Sequence, residues 1–316
     1  MSSRWAPPVW GEPSAAAAAS VPLRPSSVAA NAAYRADGGS STDFIVVAAS
    51  VCGTAHRLAG RRCEDSYGWA QRGPGRLALA VADGVSGAGR GGEGADLAVS
   101  TACSFLLSDQ PDGAPWGPAG AVRAVTGVGE ALAAAAGPHP AASLSTTLVV
   151  ALLSTQDEGM AVALARVGDS TAFALSAGGE WRELFAEAPP APGPPGAPGD
   201  DDGPDGGPDD GLRSTATDAL PLASGAAAAT AIGTWSGQLP ARAALVLVTD
   251  GLAGPLRDGP STVAPGLAEA LLRTTREGPS PLDLVHAASF SRRGVHDDRT
   301  IVAAWRPPAL AAPLRP

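Results

Sequence analysis

At four places in the chain an acidic residue stands at the edge of a short apolar run, beside glycine, serine or a second aspartate. Leu77–Ala82 runs into Asp83-Gly84, Leu164–Val167 into Gly168-Asp169-Ser170, and Leu245–Thr249 into Asp250-Gly251. Asp297-Asp298 stands just before Ile301–Ala304. Glu64-Asp65 adds a further acidic pair, expected in a turn between two early strands. Strand ends bring residues distant in sequence to one rim of a sheet, so these carboxylates can converge. Acidic oxygens without Cys or His partners suit a hard divalent cation such as Mg²⁺ or Mn²⁺. Two such cations roughly 3.5–4 Å apart need a bridging carboxylate and several terminal ones; they lower the pKa of a shared water and place it for in-line attack. The expected chemistry is metal-assisted hydrolysis at phosphorus, with the Gly84 carbonyl a further oxygen within reach of a cation. No Ser-His-Asp or Cys-His arrangement is legible. Ser86 and Ser170 read as turn residues, and His56, His139, His286 and His296 are scattered.

Positioning these acids requires strands. Asp43–Cys52, Arg76–Ala82, Ser145–Ser154, Met160–Val167, Thr171–Ser176, Trp181–Phe185, Ala243–Thr249 and Arg299–Trp305 are short apolar runs bounded by turn signals. Gly178-Gly179 reads as a hairpin turn. Gly84–Gly94 carries six glycines and reads as a tight, backbone-exposing loop. Ala95, Ala98, Val99, Ala102, Phe105 and Leu106 then share one helical face, as do Val122, Val125, Val128 and Leu132 within a helix over Gly117–Ala136. Further helices are expected around Ala264–Leu272 and from Ser280-Pro281-x-Asp283. The expected fold class is α+β: a central β-sandwich of two antiparallel sheets flanked by helices, in α-β-β-α layers.

Composition divides the chain. Residues 1–42 are rich in Ala, Pro and Ser without sustained period and read as a disordered tail. Residues 188–211 contain only Ala, Pro, Gly and Asp and read as a low-complexity surface insert. The domain is expected over 43–306, with a frayed tail at 307–316. Net charge is −9; removing the six aspartates of the insert brings it to −3, so the folded part is only mildly acidic. No basic patch suggests nucleic acid, no apolar run approaches the roughly 20 residues that span a bilayer, and Cys52, Cys63 and Cys103 have no ligand spacing. A cytoplasmic protein is expected.

Six pieces occur in order: Gly53-Thr-Ala-His56 … Gly60-Arg-Arg-Cys63-Glu64-Asp65, Ala82-Asp83-Gly84-Val-Ser-Gly87, Ser145-Thr146-Thr147-Leu148, Val167-Gly168-Asp169-Ser170, Thr249-Asp250-Gly251-Leu252 and Asp297-Asp298-Arg-Thr300. Together they resemble the bacterial metal-dependent serine/threonine protein phosphatases, the protein phosphatase 2C-like (PPM-type) family, over about residues 43–306. The resemblance implies hydrolysis of phosphoserine and phosphothreonine in proteins with two Mn²⁺ or Mg²⁺ ions, and a third metal as an option. It implies that Asp83 bridges both ions, that Gly84 lends its carbonyl to one, that Asp250 and Asp297 hold the other, that Glu64 and Asp65 hold metal-bound waters, and that Asp169 sits near the third. Phosphorylated proteins and a serine/threonine kinase are the implied partners.

The chain departs from that pattern in places. Where relatives carry an arginine that grips phosphate stands Gly60, leaving Arg61 or Arg62 to serve, since guanidinium matches phosphate geometry. Val85 stands where some relatives have a proton-donating histidine, leaving a metal-bound water or His56 for that task. Asp298 stands where many relatives have Asn. These departures keep open an alternative: a catalytically weak phosphatase-fold module that binds phosphoproteins or regulates a partner. A different metal-dependent phosphoesterase or nuclease is a further alternative.

Overall fold

The computed structural model describes residues 33–107, 117–185, 219–221, 231–258, 263–292 and 295–307. The expected disorder of the first 32 residues, the 188–211 insert and the end of the chain from 308 lies outside them.

Eleven strands among the described residues form two antiparallel sheets. The first contains β1 (Tyr34–Ser40), β2 (Ile45–Val51), β7 (Thr171–Leu175), β8 (Trp181–Glu183), β10 (Ala244–Val248) and β11 (Arg299–Trp305), in the order β1-β2-β11-β10-β7-β8. The second contains β3 (Asp65–Gln71), β4 (Arg76–Asp83), β5 (Leu148–Gln156), β6 (Gly159–Val167) and β9 (Gly233–Pro240), in that order.

The strands read as nearly continuous apolar runs because both faces of each sheet are covered. One side chain set, including Phe44, Val46, Trp69, Leu77, Leu79, Leu153, Leu164, Leu245 and Val302, fills the space between the sheets. The alternate set of the first sheet, Val47, Ala49, Val246 and Ile301 among them, packs on α4 (Asp250–Arg257), α5 (Ala264–Glu277) and α6 (Pro281–Ala288). The alternate set of the second, Ala78, Ala80, Ala82, Val150 and Leu152, packs on α2 (Gly91–Leu107) and α3 (Pro118–Ala136). A short α1 (Thr54–Leu58) follows β2. The layers are α-β-β-α, as expected. No helix among the described residues is long and apolar enough to cross a membrane.

Three expectations are corrected. The expected tail overlaps β1, which pairs along its whole length with β2, from Tyr34 against Val51 to Ser40 against Ile45. Its sequence, YRADGGS, carries little apolar signal, because an edge strand is held by its backbone ladder. The six-glycine stretch is a loop only in its first half: α2 begins at Gly91. Glu64-Asp65 is not in a turn, since Asp65 opens β3 and stands directly opposite Asp83 of β4. Strands β1, β3 and β9 and helices α1 and α4 were not legible as elements.

Candidate metal centre

The sandwich brings the strand-end acids to one rim from both sheets. Asp65 and Asp83 come from adjacent strands of the second sheet and Asp169 follows β6. Asp250 opens α4 directly after β10, and Asp297 precedes β11 of the first sheet. Asp83, Asp169 and Asp250 each offer a carboxylate oxygen within 4.8 Å of the others.

Backbone contacts fix Asp83 closely. The Thr147 hydroxyl accepts from the Asp83 N–H at 3.1 Å, and the Asp83 carbonyl accepts from the Thr146 hydroxyl and the Thr147 N–H, both at 2.8 Å. The Gly84 N–H donates to the Glu64 carbonyl at 3.1 Å. A Cβ on Gly84 would lie 2.3 Å from the Gly91 carbonyl carbon, so only glycine lets the chain after Asp83 run against the start of α2. Asp65 reaches across the sandwich: the Thr249 hydroxyl donates to its Oδ2 at 2.7 Å and itself accepts the Thr300 N–H at 3.0 Å.

Burial, and after it the crowding of like charges, raises the pKa of these acids. Asp83 is pushed well above the usual carboxylate range, first by burial and then by the charges of Asp65, Asp250 and Asp297. Asp65 is raised by burial and by Asp298. Asp250 is pushed up to about 6 by burial, Asp297 and Asp169. Buried Glu64 Oε2, Asp65 Oδ1 and Asp250 Oδ1 have no hydrogen-bond partner among the described residues. Buried anionic oxygens without donors are costly, and an all-oxygen set facing inward is the donor chemistry of a hard divalent cation. The residues fit such an ion.

Around this rim the remaining candidates separate. Arg61 pairs with the Glu64 carboxylate and also donates to the Ser86 carbonyl at 3.4 Å, which keeps its guanidinium beside the loop after Asp83. Arg62 turns the other way, 3.6 Å from Asp96 of α2 and against Gly92. Of the two arginines, Arg61 is the one beside the acids.

His56 is buried; its Nδ1 lies 2.9 Å from Asp298 Oδ2, and its Nε2 lies 3.4 Å from Ser86 Oγ and 3.9 Å from Glu64 Oε2. An Asp298–His56–Ser86 chain therefore exists, where none was legible in sequence. It joins residues 30 and 242 positions apart, which only the folded chain brings together. Thr147 and Thr249 were also missed as supports of the acids; Thr249's place directly before Asp250 and Thr147's at the start of an apolar run were the available signals. Cys63 sits 3.3 Å from the Ser50 hydroxyl, and burial raises its pKa, so it packs rather than reacts. His296 Nδ1 contacts the Thr54 hydroxyl at 3.0 Å.

Residues 52–191 match a family model described as protein phosphatase 2C. The fold is similar to that of the Mycobacterium tuberculosis serine/threonine phosphatase PstP/Ppp, with a TM-score of 0.51 and 20% identity over 83% of this chain and 98% of that one. It is similar to a S. agalactiae serine/threonine phosphatase, with a TM-score of 0.56 and 14% identity over 83% and 99% of the two chains. A bacterial serine phosphatase aligns with a TM-score of 0.53 and 13% identity over 84% and 99%. No curated protein sequence matches the chain.

Proposed function

We propose that this chain is a phosphatase of the protein phosphatase 2C-like kind, whose family model matches residues 52–191, and that it hydrolyses phosphoserine and phosphothreonine in proteins with a water activated between two Mn²⁺ or Mg²⁺ ions. The observation that carries the reading is the convergence of Asp83, Asp169 and Asp250 oxygens within 4.8 Å, with Asp65 and Asp297 acting on the same group.

Asp83, with the Gly84 carbonyl beside it, would be the ligand shared by the ions; Asp250 and Asp297 would hold one of them, Asp169 would serve a third, and Glu64 and Asp65 would hold bound waters. The ions supply a nucleophile of lowered pKa and charge to offset the phosphoryl oxygens. The chain's own tasks are orientation and charge. Arg61, half exposed beside Glu64, grips the phosphate. His56, oriented through Nδ1 by Asp298, aims Nε2 at the mouth through Ser86 and is the protein's candidate to protonate the leaving alkoxide. Arg62, facing α2, takes no part in the grip. Phosphoproteins, and the kinase that makes them, are the partners this reading calls for.

Turnover of p-nitrophenyl phosphate and of a phosphothreonine peptide, with and without Mn²⁺, tests it. Asp83→Asn, which removes half of a shared bridge, is expected to lower kcat at least 100-fold, a loss of about 3 kcal/mol of transition-state stabilisation. Full activity in that variant, or activity indifferent to chelation, overturns the reading. One observation favours the second reading of a binding module with weak catalysis: Gly60 stands at the family's arginine position, and Arg61 is already engaged by Glu64. Tight phosphopeptide binding with Mn²⁺ but without turnover would support it.

A further inference from the structure

The Asp298 carboxylate is about as buried as a group can be, at 1% exposure, and no arginine forms an ion pair with it among the described residues. A bare buried anion is unstable, so the donors it gathers define what it does. Its nitrogen partners come from one segment. Oδ1 accepts the Gly53 N–H at 2.6 Å; Oδ2 accepts the Glu64 N–H at 2.5 Å and faces His56 Nδ1 at 2.9 Å. Residues 53 to 64 leave β2, form α1 and deliver Arg61 and Glu64 to the rim before β3 begins.

The same two stretches touch elsewhere. The Ala55 N–H donates to the His296 carbonyl at 3.1 Å, and Thr54 Oγ1 contacts His296 Nδ1 at 3.0 Å. A Cβ on Gly53 would lie 2.4 Å from the Asp297 carbonyl carbon. Three of the contacts between the stretches meet on one carboxyl group, and the backbone N–H of the same residue, Asp298, donates to Asp297 Oδ1 at 2.9 Å. An amide in its place would offer one oxygen to these donors and turn an N–H₂ toward the rest, so the arrangement uses both oxygens of an acid.

We propose that Asp298 is a positioning residue: its carboxylate sets segment 53–64, and with it Arg61, Glu64 and His56, against the strand entry that carries Asp297. The proposal extends the phosphatase reading, in which Arg61 and Glu64 must face the same phosphate as the acids.

Two measurements on the full chain test it, with Asp298→Ala and Asp298→Asn. In backbone hydrogen exchange, the Gly53 and Glu64 amides are protected in the unaltered protein. In Asp298→Ala they exchange at least 10-fold faster, while Tyr67 and Leu79 in β3 and β4 keep their protection. With p-nitrophenyl phosphate and Mn²⁺, Asp298→Ala raises KM and the Mn²⁺ concentration for half-activity at least 10-fold. Its kcat changes less, and Asp298→Asn recovers part of the loss. Unchanged exchange at 53 and 64, or a rise of equal size throughout the strands, overturns the proposal, as does a loss confined to kcat. If the unaltered protein turns over no phosphoester, the phosphatase reading falls, and the exchange pattern alone decides the role of Asp298.

Discussion

Asp83, Asp65 and Asp250 illustrate a conflict between stability and use at the residue scale. Each is an anion pressed toward other anions, and each has its pKa raised, Asp250 to about 6. An acid with a raised pKa in the folded state keeps its proton more readily there than in the unfolded chain. Its contribution is therefore complete below the unfolded value and is lost as pH rises through the folded one. The metal-free protein is expected to lose melting temperature between about pH 4 and pH 6.5, the span set by Asp250. Added Mn²⁺ is expected to stabilise more at pH 7.5 than at pH 5, because ligands must shed protons to bind it. Differential scanning fluorimetry across that range checks both signs; a metal-free melting temperature that climbs steadily to pH 7 contradicts the crowding. By the same argument Asp83→Asn, whose kcat is expected to fall, is expected to melt higher than the unaltered protein without metal at pH 7.5.

Close approach decides which parts could be read from sequence at the scale of elements. Asp83, Asp169, Asp250 and Asp297 stood out in the sequence because each borders an apolar run, and those runs became strands close to their expected bounds. The stretch Gly84–Gly94 was misread because glycine signals both loops and tight contacts. A Cβ at Gly94 would sit 2.1 Å from the Leu144 carbonyl oxygen, so this residue lies inside a helix that crosses another backbone closely. Strand β3 was missed for the converse reason: DSYGWAQ opens on Asp65 and Ser66 and carries Gly68 at its centre, which hides its period. Gly84→Ala and Gly251→Ala place Cβ atoms 2.3 and 2.0 Å from backbone atoms of Gly91 and Asp298. Each is expected to cost about 1–3 kcal/mol by overpacking and to depress activity with it, since the displaced backbone carries Asp83 or Asp250. Thermal melts paired with assays check this; a variant with lowered stability and full activity would separate the glycine from the site.

Across the whole molecule, the acids draw on both sheets. Thr249 from the end of β10 reaches Asp65 of β3, and Asp83 and Asp250 approach from opposite layers. The core between the sheets should therefore govern the site at a distance. Leu79→Ala, within the buried seam, is expected to cost about 2–5 kcal/mol, which for a domain of this size lowers the melting temperature by roughly 5–15 °C. Its kcat below the new transition should stay near that of the unaltered protein, in contrast to Asp83→Asn. Denaturation and assay at a common temperature check the contrast. The layered fold was readable because buried strands leave apolar runs. The lacing of segment 53–64 to Asp298 was not, because hydrogen bonds spanning more than 230 positions have no local trace.

An ion seated there would fasten two layers that have no covalent link at that rim. A half-formed chain with only one layer in place would lack half the oxygens and would not retain a cation. Cation capture thus becomes a late event in maturation, and a chelator should loosen the halves from one another before it melts either.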